Sequence, residues 1–264
     1  PPRSTLFPYT TLFRSVKGEG DPIVFIHGFG LDSRIWEKQV EELSKTNKVI
    51  TYDMRGFGKS SLPNGNYSHT EDLNQLLKEL NIQNAKIVGH SFGGEIAVEY
   101  ALKYPNEVNS LVLISPSLRG VKVNTREWEA YVELGRTGDI EGLRKRILEN
   151  PTFKDLKEGS KEMELIKEIV NDYSGFHFMN RDPREIIEGN QEIKNISCPV
   201  EIVIGEKDEE VQKEVAKKFK DEIGVETKII PNCGHIGILE EQEITEIIRE
   251  CGKEEFHSET SVIT

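Results

Sequence analysis

The chain has 264 residues, 36% of them hydrophobic, and 46 acidic side chains against 34 basic ones leave a formal charge of −12. That balance argues against nucleic acid or an anionic membrane surface as the main partner, since both demand a basic face. Three cysteines, Cys198, Cys233 and Cys251, show no metal or redox spacing, which excludes a disulfide framework and fits a reducing, cytoplasmic setting. The longest apolar runs, Ile23 to Ile26 and Leu111 to Ile114, fall far short of the ~18 residues of a membrane span.

The first fifteen residues, PPRSTLFPYTTLFRS, have no apolar signal region and no small-residue cleavage site. They resemble translated adapter or vector sequence joined to a gene fragment that resumes at Val16. Residues 1–15 are therefore set apart from the functional reading.

From residue 22 short apolar runs alternate with helical periodicity. PIVFI (22–26) predicts a buried strand, followed by a helix over 34–44 with Ile35, Trp36, Val40 and Leu43 inward. KVITY (48–52) is the next strand. Leu73, Leu76, Leu77 and Leu80 then mark one face of a helix. AKIVG (85–89) is a strand, Phe92 to Lys103 a helix ended by Pro105, and SLVLIS (110–115) a strand. Strand and helix resume at PVEIVIG (199–205), 210–220, TKIIP (227–231) and 238–250. Strands that are apolar throughout are buried on both faces, as in a parallel sheet covered by helices. The chain thus divides into a core over 16–118 and 197–252, an all-helical insertion over 119–196 that predicts a lid, and a polar tail over 253–264.

The strongest chemical signal is Gly89-His90-Ser91-Phe92-Gly93, G-x-S-x-G between a strand and a helix. A sharp turn there lifts the Ser91 hydroxyl above the sheet, and the glycines leave room for neighbouring backbone. The Phe92 N–H opens the helix, where developing negative charge is favoured. A serine needs a base. Of six histidines, His235 follows the last strand and projects from the same edge as Ser91. His90 is expected to point into packing, His27 to orient backbone, His69 and His257 to lie on the surface, and His177 to sit in the lid. The base needs an anion to fix its tautomer. Asp208, three residues past Gly205, is favoured over its neighbours Glu206, Glu209 and Glu210. In His27-Gly28-Phe29-Gly30 the Phe29 N–H is expected to face the turn, so that Phe29 and Phe92 supply two donors to an oxyanion.

The order Ser91, Asp208, His235, with the HGFG loop ahead and a helical insertion after the fifth strand, resembles the α/β-hydrolase superfamily over residues 16–250. Asp53-Met54-Arg55-Gly56-Phe57-Gly58-Lys59-Ser60 is similar to that family's D-x-R-G-x-G-x-S turn, a structural loop near the site. The resemblance implies an α/β fold, a mostly parallel sheet with helices on both faces. Family members usually begin with an antiparallel hairpin, whereas here only about Thr11 to Lys17 can supply one strand.

Serine at the turn, rather than the carboxylate of dehalogenases and most epoxide hydrolases, implies acyl chemistry. The expected activity is hydrolysis of a small carboxylic ester through an acyl-enzyme. The alternatives are lactone opening, C–C bond hydrolysis or peracid formation on the same residues, or a ligand receptor that kept them. No cofactor or metal is expected, the partner is a small-molecule acyl substrate, and the oligomeric state stays open. Candidate pocket residues are Phe29, Phe92, Trp36, Trp128, Tyr131, Phe176, His177 and Phe178, with Arg119 and Arg181 as candidate receivers of an acidic substrate.

Overall fold

A computed structural model of the chain describes residues 12–121, 125–179, 185–186 and 192–253. Seven strands form one sheet: β1 (Arg14–Lys17), β2 (Pro22–Ile26), β3 (Lys48–Tyr52), β4 (Ala85–His90), β5 (Val108–Ile114), β6 (Val200–Gly205) and β7 (Thr227–Ile230). Their order is β1-β3-β2-β4-β5-β6-β7. Only β1 runs antiparallel, pairing Arg14 with Tyr52 through Lys17 with Val49. The other neighbours are parallel. In β2 every residue from Ile23 to Ile26 is buried, as is every residue of β5 from Ser110 to Ile114. Such strands require cover on both faces, which is why the sequence shows no alternation.

The helices of the core are α1 (Glu37–Leu43), α2 (His69–Glu79) and α3 (Phe92–Lys103) in the first part, with α8 (Glu210–Ile223) and α9 (Gln242–Glu250) in the second. Their starts and stops follow local chemistry. The Ser68 hydroxyl accepts from the Glu71 N–H to cap α2. Gly224, at φ 72°, closes α8 in the left-handed region. Two boundaries differ from the periodicity. The predicted 34–44 helix opens as a 3₁₀ turn over Ser33–Trp36, because the Asp32 carboxylate caps it at the Arg34 N–H. The predicted 238–250 helix is a 3₁₀ turn over Gly237–Glu240 followed by α9.

Between β5 and β6 lie α4 (Thr125–Thr137), α5 (Ile140–Leu148), α6 (Lys161–Asp172) and α7 (Phe176–Met179). Among the described residues this insertion holds no strand beyond an isolated bridge, Tyr67 to Glu185. β1 starts inside the segment set apart in the sequence. Leu12 is buried, the Phe13 N–H donates to Ser60 Oγ at 2.8 Å, and the Asp53 N–H donates to the Phe13 carbonyl at 2.9 Å. Residues 12–15 therefore finish the sheet edge. No helix among the described residues is long and apolar enough to cross a membrane.

Candidate active site

The carboxyl ends of the parallel strands lie on one edge, and each candidate follows one of them. β4 ends at Ser91, whose backbone is held at φ 52°, ψ −119°. A side chain at Gly89 would put its Cβ 2.4 Å from the Gly93 carbonyl oxygen, and one at Gly93 would lie 2.3 Å from that of Ile26. Both contacts are with backbone, so the turn closes only with glycine at these positions. The Ser91 N–H donates to the Ile114 carbonyl at 3.0 Å, and its own carbonyl accepts from Gly94 and Ser117 at 2.9 Å each. The strained residue is thereby tied on both sides. Phe92 is the first residue of α3, so its N–H has no intrahelical acceptor.

β7 is followed by His235, β6 by Asp208. His235 Nδ1 donates to Asp208 Oδ1 at 2.9 Å, and the Asp208 side chain is 0% exposed. Asp208 Oδ2 accepts from Ser115 Oγ and from the Gly205 N–H. Burial works to raise the Asp208 carboxyl. The hydrogen bond and charge of His235, with Ser115 and Gly205, more than offset it and hold the group below its ordinary value. An ionised Asp208 receiving Nδ1–H leaves His235 Nε2 with its lone pair free. Ser115, which sits at φ 44° just past β5, carries no motif that announces it.

His90 does more than pack. Its Nε2 lies 2.9 Å from the His235 carbonyl and ties the Ser91 turn to the His235 loop. Burial lowers its pKa to about 3 and keeps it neutral. His27 orients backbone: Nε2 accepts from the Met54 N–H at 2.9 Å, and Nδ1 donates to the Gly28 carbonyl at 2.8 Å. Gly28 sits against the turn, where an added Cβ would lie 2.9 Å from His90 Nδ1 and 3.3 Å from Ser91 Cβ. The Asp53 loop is structural. Its carboxylate accepts from the Ser33 and Lys59 N–H groups at 2.9 and 2.8 Å, and Arg55 Nε donates to the buried Asp72 at 2.8 Å.

Ser91, His235, Phe29 and Phe92 line one cavity of about 650 Å³. The insertion supplies its other wall through Trp128, Tyr131, Ile147, Phe153 and Phe178. Phe29 is the hinge of this packing, with ring centroids of Trp128 at 5.0 Å, Phe57 at 5.1 Å, Phe178 at 5.5 Å and Phe92 at 5.9 Å. Four acids line the same cavity, Glu95, Glu127, Glu185 and Glu209, and no Lys or Arg is among the described lining residues. Burial, reinforced by Glu99 and Glu95, pushes the Glu185 carboxyl up to about 8.

Several expected pocket residues lie elsewhere. Trp36 is fully buried against Phe25, at 4.9 Å between centroids, and belongs to the core because the 3₁₀ turn packs on β2, an interior strand of the sheet. Phe176 and His177 are behind the wall rather than in it. His177 stacks on Phe57 at 4.2 Å and its Nδ1 lies 3.0 Å from the Tyr173 hydroxyl, so it joins insertion to core. His69 is 1% exposed rather than on the surface, enclosed by Tyr67, Phe92 and Phe57. Arg119 binds Glu99 at 2.9 Å and Glu95 at 3.2 Å, which commits it to acids of the protein. Arg181 and His257 lie outside the described residues. Sequence reasoning missed Gln212, Glu95, Glu185 and Ser115; only the strand-end position of Ser115 offered any signal.

This combination of sheet order, strand-end residues and inserted helices defines a class. The family model described as the alpha/beta hydrolase fold matches residues 21–242, and the chain belongs to that family. Over nearly its whole length the chain is similar to the AB hydrolase superfamily protein YisY of Bacillus subtilis, with 27% identity over 254 residues, 89% of this chain and 92% of that one. Other curated relatives match over 102 and 104 residues, and there the chain spans 23% and 38% of their length. Among solved structures, an esterase from Exiguobacterium antarcticum superposes with a TM-score of 0.77 at 22% identity, covering 91% of this chain and 94% of that one. Est816, described as an N-acyl homoserine lactone degrading enzyme, gives 0.72 at 25% identity, covering 91% and 96%.

Proposed function

We propose that the chain is a serine hydrolase that cleaves a small carboxylic ester through an acyl-enzyme. The observation that carries this reading is the convergence of Ser91 and an Asp208-paired His235 on one cavity. In the first step His235 Nε2 takes the Ser91 hydroxyl proton as Oγ bonds to the ester carbonyl carbon. The resulting oxyanion is received by the Phe29 and Phe92 N–H groups, and loss of one such donor typically costs ~10²–10³ in rate. His235 then gives its proton to the leaving alcohol, and the C–O bond breaks. Water enters, loses a proton to Nε2 and attacks the acyl carbon; the bond from that carbon to Oγ then breaks, Nε2 returns the proton to Ser91, and the carboxylic acid leaves. Asp208 holds the tautomer and stabilises the imidazolium without taking its proton.

The helical insertion acts in this reading as a lid over the strand ends. A cavity of about 650 Å³ falls within the usual range for small ligands. Short acyl chains therefore suit it better than long ones in an emulsion. A panel of nitrophenyl esters from acetyl to dodecanoyl tests this, with turnover highest among the short members. Activation at the surface of triglyceride droplets would contradict a closed, modest pocket, and no turnover of any ester would remove the esterase reading.

Lactone opening is the second reading, supported by the whole-length likeness to a protein described as a lactone-degrading enzyme. It uses the same attack, with the leaving alkoxide retained on the product. Acid release from an N-acyl homoserine lactone, compared with an open-chain ester of equal size, separates the two. Residence in the cytoplasm, suggested by the cysteine content, completes the proposal.

A further inference from the structure

Five of the described residues other than glycine hold a positive φ. Three are asparagines, which enter that region readily; the other two are Ser91 and Ser115. Strain of this kind persists only where the surroundings impose it, and it gathers at functional sites. Ser91 owes its strain to the turn that lifts its hydroxyl. Ser115, at φ 44° and fully buried, sits one strand away, just past β5.

The strain at Ser115 turns the chain at the strand end. Its N–H still donates to the Val203 carbonyl at 2.8 Å, as though β5 continued along β6. Two residues on, the Ser117 N–H donates to the Ser91 carbonyl at 2.9 Å. Between them Pro116 packs on α3 so closely that a Cβ at Gly94 would lie 2.7 Å from the proline Cβ. The same turn leaves Ser115 Oγ donating to Asp208 Oδ2. Three successive residues thus touch the candidate acid at one end and the candidate nucleophile at the other.

That contact bears on how Asp208 faces His235. The torsion that orients an aspartate carboxylate is broad, so the donors on one oxygen decide where the other points. Oδ1 receives His235 Nδ1–H at 2.9 Å; Oδ2 accepts from the Gly205 N–H at 3.1 Å and from Ser115. The Gly205 bond lies within the turn that carries Asp208, whose own N–H donates to the Gly205 carbonyl at 3.0 Å, so it moves with the residue. Ser115 reaches Asp208 from the neighbouring strand, 93 positions away in sequence. We propose that Ser115 is a positioning residue: its hydroxyl fixes the Asp208 carboxylate toward His235, and its strained turn to Ser117 keeps acid and nucleophile in one frame. This rests on the serine hydrolase reading and adds a fourth side chain to it.

Ser115→Gly and Ser115→Ala remove the hydroxyl from two different backbones. Glycine enters the left-handed region freely, and alanine carries the same strain as serine. Circular dichroism gives the folded fraction of each, so that kcat on 4-nitrophenyl butyrate is counted per folded molecule. Both variants should lose about 10- to 100-fold in kcat, the range of a hydrogen bond to a charged group, with KM within about threefold. The same changes are then made in Asp208→Asn. If Ser115 acts through the aspartate, its loss there should cost less than about threefold more, since residues in one network are not additive. A serine that merely supports the fold would cost the same factor in both backgrounds, and that result overturns the inference. So does near-full kcat in folded Ser115→Gly. Either outcome leaves the roles of Ser91 and His235 standing, whereas failure of the unaltered protein to turn over any ester removes the hydrolase reading and this inference together.

Discussion

The two walls of the cavity are built on different principles. The core wall, with Ser91 and the Asp208-paired His235, is fixed by backbone: a strained serine, glycines that exclude any side chain, and loops that follow parallel strands. The insertion wall, with Trp128, Tyr131 and Phe178, is fixed by side chains packed around Phe29. Backbone geometry of this kind tolerates almost no substitution. Side-chain packing tolerates many, so the proposed chemistry belongs to the first wall and the choice of substrate would be set by the second.

The largest expected effect lies in the core wall. Asp208→Asn keeps the shape but favours the wrong His235 tautomer, which costs ~10⁴ in kcat in a comparable triad. Glu206→Gln, Glu209→Gln and Glu210→Gln should each cost less than about tenfold, because none of them meets the imidazole of His235. Single-turnover kinetics on a nitrophenyl ester checks both. Near-full activity in Asp208→Asn beside collapse of a glutamate variant would move the anion to another residue.

A glycine pair sharpens the same contrast in stability. The Cβ of Gly93→Ala would lie 2.3 and 2.6 Å from two backbone oxygens, so β2 must shift. We expect a loss of about 2 kcal/mol or more, as for other overpacked sites. Gly138, in the insertion at φ 74°, has open space around it, and its alanine variant carries only the left-handed backbone cost of about 1–2 kcal/mol. Urea unfolding measures the two. Equal losses would mean that the walls do not differ in tolerance.

The contact between insertion and core carries a pH signature. Burial lowers His177 to about 3, and it stacks on Phe57 as a neutral ring. A group depressed in the folded state gives stability that is full above its unfolded pKa, near 6.5, and lost as pH falls towards its folded value. Stability should therefore decline below about pH 6.5, and His177→Phe should flatten that decline by up to about 1.4 kcal/mol per pH unit. An unchanged slope in urea unfolding between pH 7 and pH 5 would show that the ring is already solvated. The smallest effect belongs to Trp128, which is 37% exposed. Trp128→Ala should shift KM for bulky esters a few fold and leave kcat within about threefold, since it removes binding shared by ground and transition states.

What the sequence revealed follows the same division. The sheet strands, the Ser91 turn and the places of Asp208 and His235 are legible because each depends on a run of apolar residues or a glycine at a fixed offset. The cavity wall is not. Trp36 and Trp128 look alike in sequence, yet one is buried against Phe25 of β2 and the other lines the cavity, a difference set by the tertiary course of the chain. His69 follows a helix-capping serine and so looks polar, but three aromatic rings enclose it. Gln212 is a polar residue among the charges of α8, and nothing in that pattern tells that its side-chain carbonyl is buried without a partner among the described residues.

The central claim is that Ser91 is a nucleophile that forms a covalent bond to an acyl or phosphonyl group. Treatment with a fluorophosphonate probe, followed by intact and peptide mass measurement, tests it most directly. The account predicts one adduct, located on Ser91, formed with loss of fluoride and absent from Ser91→Ala, whose ester turnover should fall by ~10⁴ or more. Equal labelling of the unaltered protein and of Ser91→Ala, or an adduct on another residue, would contradict it.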